Sequence, residues 1–441
     1  MTALNKIDQK ELQKRRKTLM RMVGSDGVAI IPSASAIPRN RDVDFIFRQD
    51  SDFLYLTGFD EPDSLALMLP GNSKGQFIIF CRERNPEQEI WDGRRAGLEG
   101  VMEHYGADLA YPIEELDEVM PKLLNDRERF FYPMGRDTNF DRRVISWVNQ
   151  SRGSARTAKH VPHELLSLDY FVHDMRLYKS RSELTMMRKA AKAAISGHTR
   201  AMQTCQPGMY EYEVEAELLY EFRKAGCVPA YPSIVGGGDN GCILHYIENN
   251  QELKDGDLLL IDAGAEHQGY ASDITRTFPV NGTFTKVQRE VYELVLESQI
   301  AAIKKVKPGN HWNDPHHEAV KVLTKGLVNI GLLKGKPAKL IKDEEYRQFY
   351  MHRTGHWLGL DVHDVGDYRF DEEWRLLEPG MTLTVEPGLY ISKARGVPKK
   401  FWDIGIRIED DVLVTKDGSQ VLTEKLTRDP DEIEALMASA H

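Results

Sequence analysis

The sequence predicts two domains, an α/β domain followed by an α+β domain whose two halves repeat one pattern. Its 441 residues exceed what one hydrophobic core usually organises. Short apolar runs separated by helical patterns fill residues 1–173, which is typical of an α/β domain. In residues 174–441, a helix, a Pro-Gly pair, a second helix and strands with acidic residues occur twice.

The N-terminal domain is predicted to begin with a polar helix from Lys10 to about Met22. The runs VAIIP, LALMLP, FIIFC and FFYPM follow, and each predicts a buried strand. Further along, Ser180 and Glu183 have the S-x-x-E spacing of a capping box, which predicts the start of a long helix. We therefore place the domain boundary just before this helix, between residues 173 and 174.

The C-terminal domain is predicted to open with this helix, over about 181–204, and a Pro-Gly pair follows at 207–208. In the second half, Thr285 and Gln288 form another capping-box pattern, and the helix that they open reaches a Pro-Gly pair at 308–309. The repetition predicts two pseudo-symmetric halves that face each other.

Composition and charge argue against several classes of protein. The formal charge of −10 argues against a nucleic-acid partner, because phosphate recognition needs a basic surface. No run approaches ~18 uninterrupted apolar residues, so no membrane span is expected. The N-terminal segment is charged throughout and does not resemble a secretory signal. The four cysteines lack C-x-x-C spacing, and a reducing, cytoplasmic location is expected.

The segment DLLLIDAGAEHQGYASDITRTF carries the first acidic pair. LLLI predicts a strand that ends at Asp262, EHQG a turn, and YASDITRTF a returning strand. If the hairpin is centred between His267 and Gln268, Asp262 lies directly across from Asp273. Two carboxylates so placed repel each other or share a proton, unless a divalent cation lies between them. The alternative is a turn aspartate at 262 and a solvated one at 273.

The second acidic pair is Glu386, in TLTVEPG, and Glu409, in GIRIEDDVLV. Strand alternation places Ile406 and Ile408 on one face and Arg407 and Glu409 on the other. Taken alone, such an alternating strand more often faces solvent. The joint occurrence of both acids downstream of the aspartate pair favours a shared site.

Three histidines, His352, His356 and His363, lie within twelve residues of MHRTGHWLGLDVHDVG. Gly355 and Gly359 interrupt them and weaken any helix there, so the segment indicates a site or, alternatively, structural histidines. One neutral imidazole can bind a metal, and the others can orient substrate or stabilise negative charge.

Two Asp, two Glu and one His would make a ligand set rich in oxygen. Carboxylates can bridge two cations ~3.5–4 Å apart, which activates water for hydrolysis. Hard oxygen ligands favour Mn²⁺, with Co²⁺ or Zn²⁺ as possible occupants. The Gly-rich string VGGGDNG lacks the G-K-[ST] of a phosphate loop and is predicted to be a tight loop that presents His245 to the cleft.

Several motifs resemble those of the pita-bread metallopeptidases, and most closely the bacterial aminopeptidase P (Xaa-Pro aminopeptidase) family. They are GCILHY, LLIDAGAEHQGYASDITRTFPVNG, GHWLGLDVHDVG, LEPGMTLTVEPGLYI and GIRIEDDVLVT. FRQDSDFLYLTGFDEPD and EIWDGRRAG resemble the accessory domain of that family. The resemblance implies a creatinase/aminopeptidase P-type N-terminal domain and a pita-bread catalytic domain with pseudo-two-fold halves.

The resemblance also implies roles for individual residues. The implied metal ligands are Asp262, Asp273, His356, Glu386 and Glu409. The implied catalytic residues are His245, His352, His363, Glu386 and Arg407. The implied substrate contacts are Tyr390, Asp42 and Trp91. No role is assigned to Arg369 or Arg375.

The activity that the resemblance implies is hydrolysis of the N-terminal Xaa-Pro bond by a metal-bridging hydroxide. Glu386 would accept its proton, and His363 and His245 would stabilise the tetrahedral intermediate. The partners would be peptides with proline in second position, and the assembly a homotetramer or homodimer. The alternatives are an Xaa-Pro dipeptidase (prolidase) and a non-catalytic binding module on the same fold.

Overall fold

The computed structural model describes residues 7–153 and 162–439 and divides the chain into two compact units, Met1–Arg176 and Leu177–His441. Each unit has a hydrophobic core of its own. The predicted boundary at residue 173 falls inside a helix, Asp169–Leu177. Among the described residues, no helix combines the length and the apolar composition that crossing a bilayer requires.

The N-terminal unit is an α/β structure, as predicted. Its helices are α1 (Gln9–Val23), α2 (Ser51–Thr57), α3 (Pro86–Asp92), α4 (Gly97–Tyr105), α5 (Leu116–Leu123), α6 (Thr138–Gly153) and α7 (Asp169–Leu177). Its strands are β1 (Gly27–Pro32), β2 (Pro38–Asn40), β3 (Val43–Asp44), β4 (Leu65–Met68), β5 (Phe77–Cys81), β6 (Leu109–Pro112), β7 (Arg129–Tyr132) and β8 (Glu164–Ser167).

Six of these strands form one mixed sheet in the order β6-β5-β4-β1-β7-β8. Strand β4 is antiparallel to both of its neighbours, whereas β5/β6, β1/β7 and β7/β8 are parallel pairs. The central strands are almost completely buried, because their continuous apolar runs are covered on both faces.

The C-terminal unit has more strands, and they are shorter. Its helices are α8 (Arg181–Thr204), α9 (Glu211–Lys224), α10 (Lys286–Ile303), α11 (Asp314–Asn329), α12 (Pro337–Lys342) and α13 (Pro430–Ala438). The strands of its first half are β9 (Val228–Pro229), β10 (Ile234–Gly237), β11 (Leu258–Asp262), β12 (Ala265–His267), β13 (Tyr270–Ala271) and β14 (Thr275–Pro279). Those of its second half are β15 (Arg369–Phe370), β16 (Glu373–Trp374), β17 (Thr382–Val385), β18 (Gly388–Ile391), β19 (Ile404–Arg407), β20 (Asp410–Val414) and β21 (Ser419–Val421).

Both halves follow the predicted order of a helix pair and then strands. Helices α8 and α10 begin with the two predicted capping boxes, at Ser180 with Glu183 and at Thr285 with Gln288. The first half forms the sheet β10-β11-β14, and the second forms β17-β20-β21 and the pair β18-β19. The predicted two-half α+β organisation is confirmed.

The predicted register of the acidic hairpin is wrong by two residues. The tip is a two-residue turn at Gln268 and Gly269, both with positive φ (55° and 83°), as a type I′ turn requires. Asp262 therefore pairs with Thr275 rather than with Asp273. Because strand side chains alternate with a period of two, this shift leaves every side chain on its predicted face.

The segment GIRIEDDVLV is two strands rather than one. Strand β19 pairs with β18, and β20 pairs with β17, so the chain passes from one sheet to another at Ile408 and Glu409. The backbone N–H of Glu409 donates to the carbonyl of Thr275 at 3.1 Å. The predicted alternation nevertheless holds, since Ile406 and Ile408 lie in the core.

Candidate metal centre

One cavity of about 360 Å³ in the C-terminal unit collects the predicted ligands. Five side chains, called the acidic centre below, line it: Asp262, Asp273, His356, Glu386 and Glu409. Asp262 ends β11, Asp273 lies between β13 and β14, Glu386 follows β17 and Glu409 precedes β20. His356 comes from the segment 351–365, which has neither helix nor strand, as its glycines predicted.

The imidazole of His356 faces the acids with one defined nitrogen. Its Nε2 lies 3.3 Å from Asp273 Oδ2 and 3.7 Å from Glu386 Oε1. Its Nδ1 lies 2.9 Å from the carbonyl of Trp357, which can only accept, so Nδ1 donates. This bond orients the ring and leaves Nε2 for the centre, as in metal-binding histidines. One potential ligand atom from each of Asp273, His356 and Glu409 lies within 4.8 Å of the others.

Tyr231, which the sequence did not single out, joins the aspartate pair. Its hydroxyl lies 2.6 Å from Asp262 Oδ1 and is also within hydrogen-bond distance of Asp273 Oδ1. Burial and the charges of both aspartates raise the pKa of Tyr231 well above its usual value. The phenol therefore keeps its single proton, which is shared between the two carboxylates that register alone would leave apart.

Arg407 organises the other side of the centre. Its guanidinium donates to Asp262 Oδ2 at 2.6 Å, to the Tyr390 hydroxyl at 2.8 Å and to Thr275 Oγ1 at 3.0 Å. Thr275 in turn donates to Glu409 Oε2 at 2.6 Å. Arg407, predicted from sequence to be catalytic, thus holds two of the acids in place directly or through Thr275.

His352 is held neutral beside the acids. Its Nδ1 lies 2.7 Å from the carbonyl of Arg353 and must donate to it, so its Nε2 accepts from the Tyr390 hydroxyl at 2.9 Å. Burial, together with the charge of Arg407, lowers the pKa of His352 to about 3. His352, predicted to be catalytic, therefore lines the cavity, and Tyr390, predicted to contact substrate, is buried and forms a hydrogen bond with it.

The other two predicted histidines are exposed in the same cavity. The ring of His363 lies 4.2 Å from that of His356, edge to face, and its partial removal from water on this side lowers its pKa. His245 lines the cavity after the short 3₁₀ helix Gly238–Cys242. The string VGGGDNG is not entirely a loop, because its first three residues belong to β10.

Electrostatics show an excess of negative charge here. Burial and neighbouring acids raise the pKa of Asp273 and Glu409, and burial raises that of Glu386 to about 7. Burial would lower the pKa of His356, but its bond to Asp273 and nearby carboxylates raise it to about 9. Divalent cations would offset this charge, and four carboxylates with one imidazole nitrogen suit hard or borderline metals. The residues therefore fit a dinuclear metal site.

Two further residues that the sequence did not single out hold the backbone of the acids. Arg276, fully buried, donates to Asp410 Oδ1 at 2.8 Å and to the Glu409 carbonyl at 2.6 Å. Asp411 accepts from the Asp273 backbone N–H at 3.1 Å. The sequence does contain a signal for the role of Asp411. Three consecutive acids in a strand that continues as VLV cannot all face solvent.

The predicted substrate contacts of the N-terminal unit lie on its surface. Asp42 is exposed in the turn between β2 and β3. Trp91 lies in α3 with 87% of its surface exposed. Their role at the amino end of a peptide stays a prediction.

Comparisons with known proteins cover both units. The model of metallopeptidase family M24 matches residues 185–416, and that of the aminopeptidase P N-terminal domain matches residues 12–132. Xaa-Pro aminopeptidases of Escherichia coli (strain K12) and Haemophilus influenzae are each 44% identical, over 99% and 98% of both chains respectively. The solved Pseudomonas aeruginosa aminopeptidase PepP shares 53% identity over 99% of each chain, with a TM-score of 0.97.

Proposed function

The chain belongs to metallopeptidase family M24 and carries the aminopeptidase P N-terminal domain, and from this we propose that it is a metal-dependent Xaa-Pro aminopeptidase. Its substrates would be peptides with proline in second position, cleaved before the proline. The observation that supports this proposal most strongly is the acidic centre, where four carboxylates and the Nε2 of His356 meet in one cavity. Its full-length similarity to Xaa-Pro aminopeptidases supports this specificity.

The proposed metal ligands are the five residues of the acidic centre, and the proposed occupants are two divalent cations. Mn²⁺ is favoured because four of the five ligands are hard oxygen donors, and Co²⁺ or Zn²⁺ can take its place. When bound, such cations polarise a substrate carbonyl and lower the pKa of water. Without them, the buried carboxylates would be costly to keep together, which argues against a non-catalytic module.

The residues around the centre suit a hydrolysis at a prolyl bond. Glu386, which faces the same cavity, can take a proton and pass it to the leaving nitrogen. His363 and His245, exposed in the cavity, can donate hydrogen bonds to the oxygen that becomes negative in the tetrahedral intermediate. A prolyl nitrogen has no N–H, so the site needs no acceptor for it.

Assembly and location are part of the proposal. We expect a homotetramer or homodimer, on the strength of the family resemblance, and light scattering of the purified protein would measure its mass. A cytoplasmic location is supported by four cysteines that all remain free thiols.

Peptide hydrolysis with added Mn²⁺ tests the proposal. The chain should cleave Xaa-Pro-Yaa tripeptides and longer peptides before proline and leave Xaa-Ala-Yaa controls intact. Cleavage of Xaa-Pro dipeptides alone would make it a prolidase. Absence of hydrolysis, together with absence of bound divalent metal in elemental analysis, would indicate the non-catalytic module.

A further inference from the structure

An arginine that forms no ion pair with the described residues lies on the wall of the cavity that contains the acidic centre. Arg353 directly follows His352 in the chain and lines this cavity with its exposed side chain. The sequence predicted no role for Arg353. Its position places a positive charge within the space that a bound peptide would fill.

Neighbouring groups hold the guanidinium of Arg353 in one orientation. Its Nη1 donates to Asn313 Oδ1 at 2.9 Å, and Asn313 is 5% exposed. The amide of Asn313 is itself fixed, since its Nδ2 lies 2.7 Å from His317 Nε2. The guanidinium carbon also lies 5.4 Å from the ring centre of Trp374, whose ring Arg369 approaches to 3.7 Å. Such restraint lowers the entropy cost of binding a ligand.

The positive charge of Arg353 has no acidic partner among the described residues. No carboxylate oxygen of the described chain forms an ion pair with it, in contrast to Arg407, which is paired with Asp262 at 2.6 Å. The hydrogen bond to Asn313 uses one of its five N–H donors. The remaining donors suit the planar, bidentate geometry of a carboxylate.

We propose that Arg353 binds the free C-terminal carboxylate of a short peptide substrate whose amino-terminal residue lies at the acidic centre. This assignment rests on the proposed peptidase function and adds a preference for short peptides with a free carboxyl end. The cavity volume of about 360 Å³ supports it. That volume is near the lower end of the roughly 300–1,000 Å³ of ligand pockets, so a short substrate can place both of its ends inside.

The test compares one tripeptide, Xaa-Pro-Yaa, as free acid and as C-terminal amide. In the unaltered enzyme, kcat/KM should be about tenfold higher for the acid, as expected for one charge-assisted hydrogen-bonded pair. In Arg353→Gln, this acid-to-amide ratio should fall close to one, mainly through a higher KM for the acid. Arg353→Lys keeps the positive charge but lacks the planar guanidinium group, and it should restore part of the acid-to-amide ratio.

Arg369→Gln is the matched control, because Arg369 stacks on the same tryptophan but does not line the cavity. It should retain the preference for the acid. An enzyme that cleaves acid and amide equally, or an Arg353→Gln variant that keeps the full preference, would overturn the role of Arg353 and leave the peptidase function intact. Failure to cleave either peptide would instead overturn the proposed function.

Discussion

A single phenol hydroxyl brings two carboxylates of the acidic centre together. Tyr231 donates to the Asp262–Asp273 pair, which the strand register alone does not place opposite each other. Tyr231→Phe keeps the ring and removes this donor. We expect metal affinity to fall by roughly 10–100-fold, as is usual when a group that orients metal ligands is lost. Titration with a metal buffer and a competing chelator measures the affinity.

Tyr220→Phe is the control for this change, because Tyr220 lies exposed on α9 and has no contact with the centre. It should leave metal affinity unaltered. Equal affinity in Tyr231→Phe and the unaltered protein would show that the phenol does not orient the aspartates.

A buried histidine away from the cavity should make stability depend on pH. The Nε2 of His198 donates to the Ala263 carbonyl at 2.9 Å, and burial lowers the pKa of His198 to about 4. Between pH 6.5 and about 4, the unfolded chain binds a proton that the native chain excludes. The contribution of His198 to the free energy of unfolding is therefore fully present well above pH 6.5 and decreases as pH falls through this value, with a slope that approaches about 1.4 kcal/mol per pH unit.

Urea unfolding of the metal-free protein at pH 6.5 and pH 5.5 measures this contribution. His198→Gln retains a hydrogen-bond donor and cannot take up the proton. The unaltered protein should lose about 1 kcal/mol more than the variant across this step, because the unfolded histidine is already half protonated at pH 6.5. The same loss in both proteins would assign the pH dependence to other groups, whatever the stability of the variant at either pH.

At the scale of elements, a segment without helix or strand positions the three histidines. It lies close to β17, and a Cβ placed on Gly355 would approach the Thr384 carbonyl oxygen to 2.1 Å. Gly355→Ala should displace the segment, with a cost of about 1–3 kcal/mol in unfolding free energy and a loss of metal affinity, because His356 moves with it. Thermal unfolding and metal titration check both effects.

Gly418→Ala is the matched control for Gly355→Ala. Gly418 lies in the same unit, and a Cβ there would meet nothing within 4 Å. The control should keep stability and metal affinity. If Gly355→Ala keeps the same stability and metal affinity as Gly418→Ala, the backbone at residue 355 is free to move and does not set the position of His356.

The accuracy of prediction from sequence also varies by element. Helices α8 and α10 were predicted with their first residues, because a capping box is a local pattern. The register of the acidic hairpin was missed, because its I′ turn has Gln268 where Asn or Asp usually signals such a turn. The contribution of Tyr231 was missed because its two partners are 31 and 42 residues away, a distance that no local pattern reports.

At the scale of the whole molecule, length and pattern predicted two separate cores, and the structure has them. The core of the N-terminal unit is built on its mixed sheet, whereas the cavity of the acidic centre is lined by strand ends and by the segment 351–365 of the C-terminal unit. Sequence reasoning could place acids, histidines and Arg407 at one site because residue types and spacing are local. It could not find Arg353, whose role depends on Asn313 and on the shape of the cavity.

Metal should stabilise one unit more than the other. A ligand that binds only the native state at 100 times its Kd adds about 2.7 kcal/mol of stability. With Mn²⁺, amide hydrogens of β11 and β20 should therefore exchange up to about a hundredfold more slowly, whereas those of β1 and β7 should not change. Asp273→Asn should abolish the protection by removing a ligand. Equal protection of all four strands would mean that both units open as one, and no protection would exclude a metal at the acidic centre.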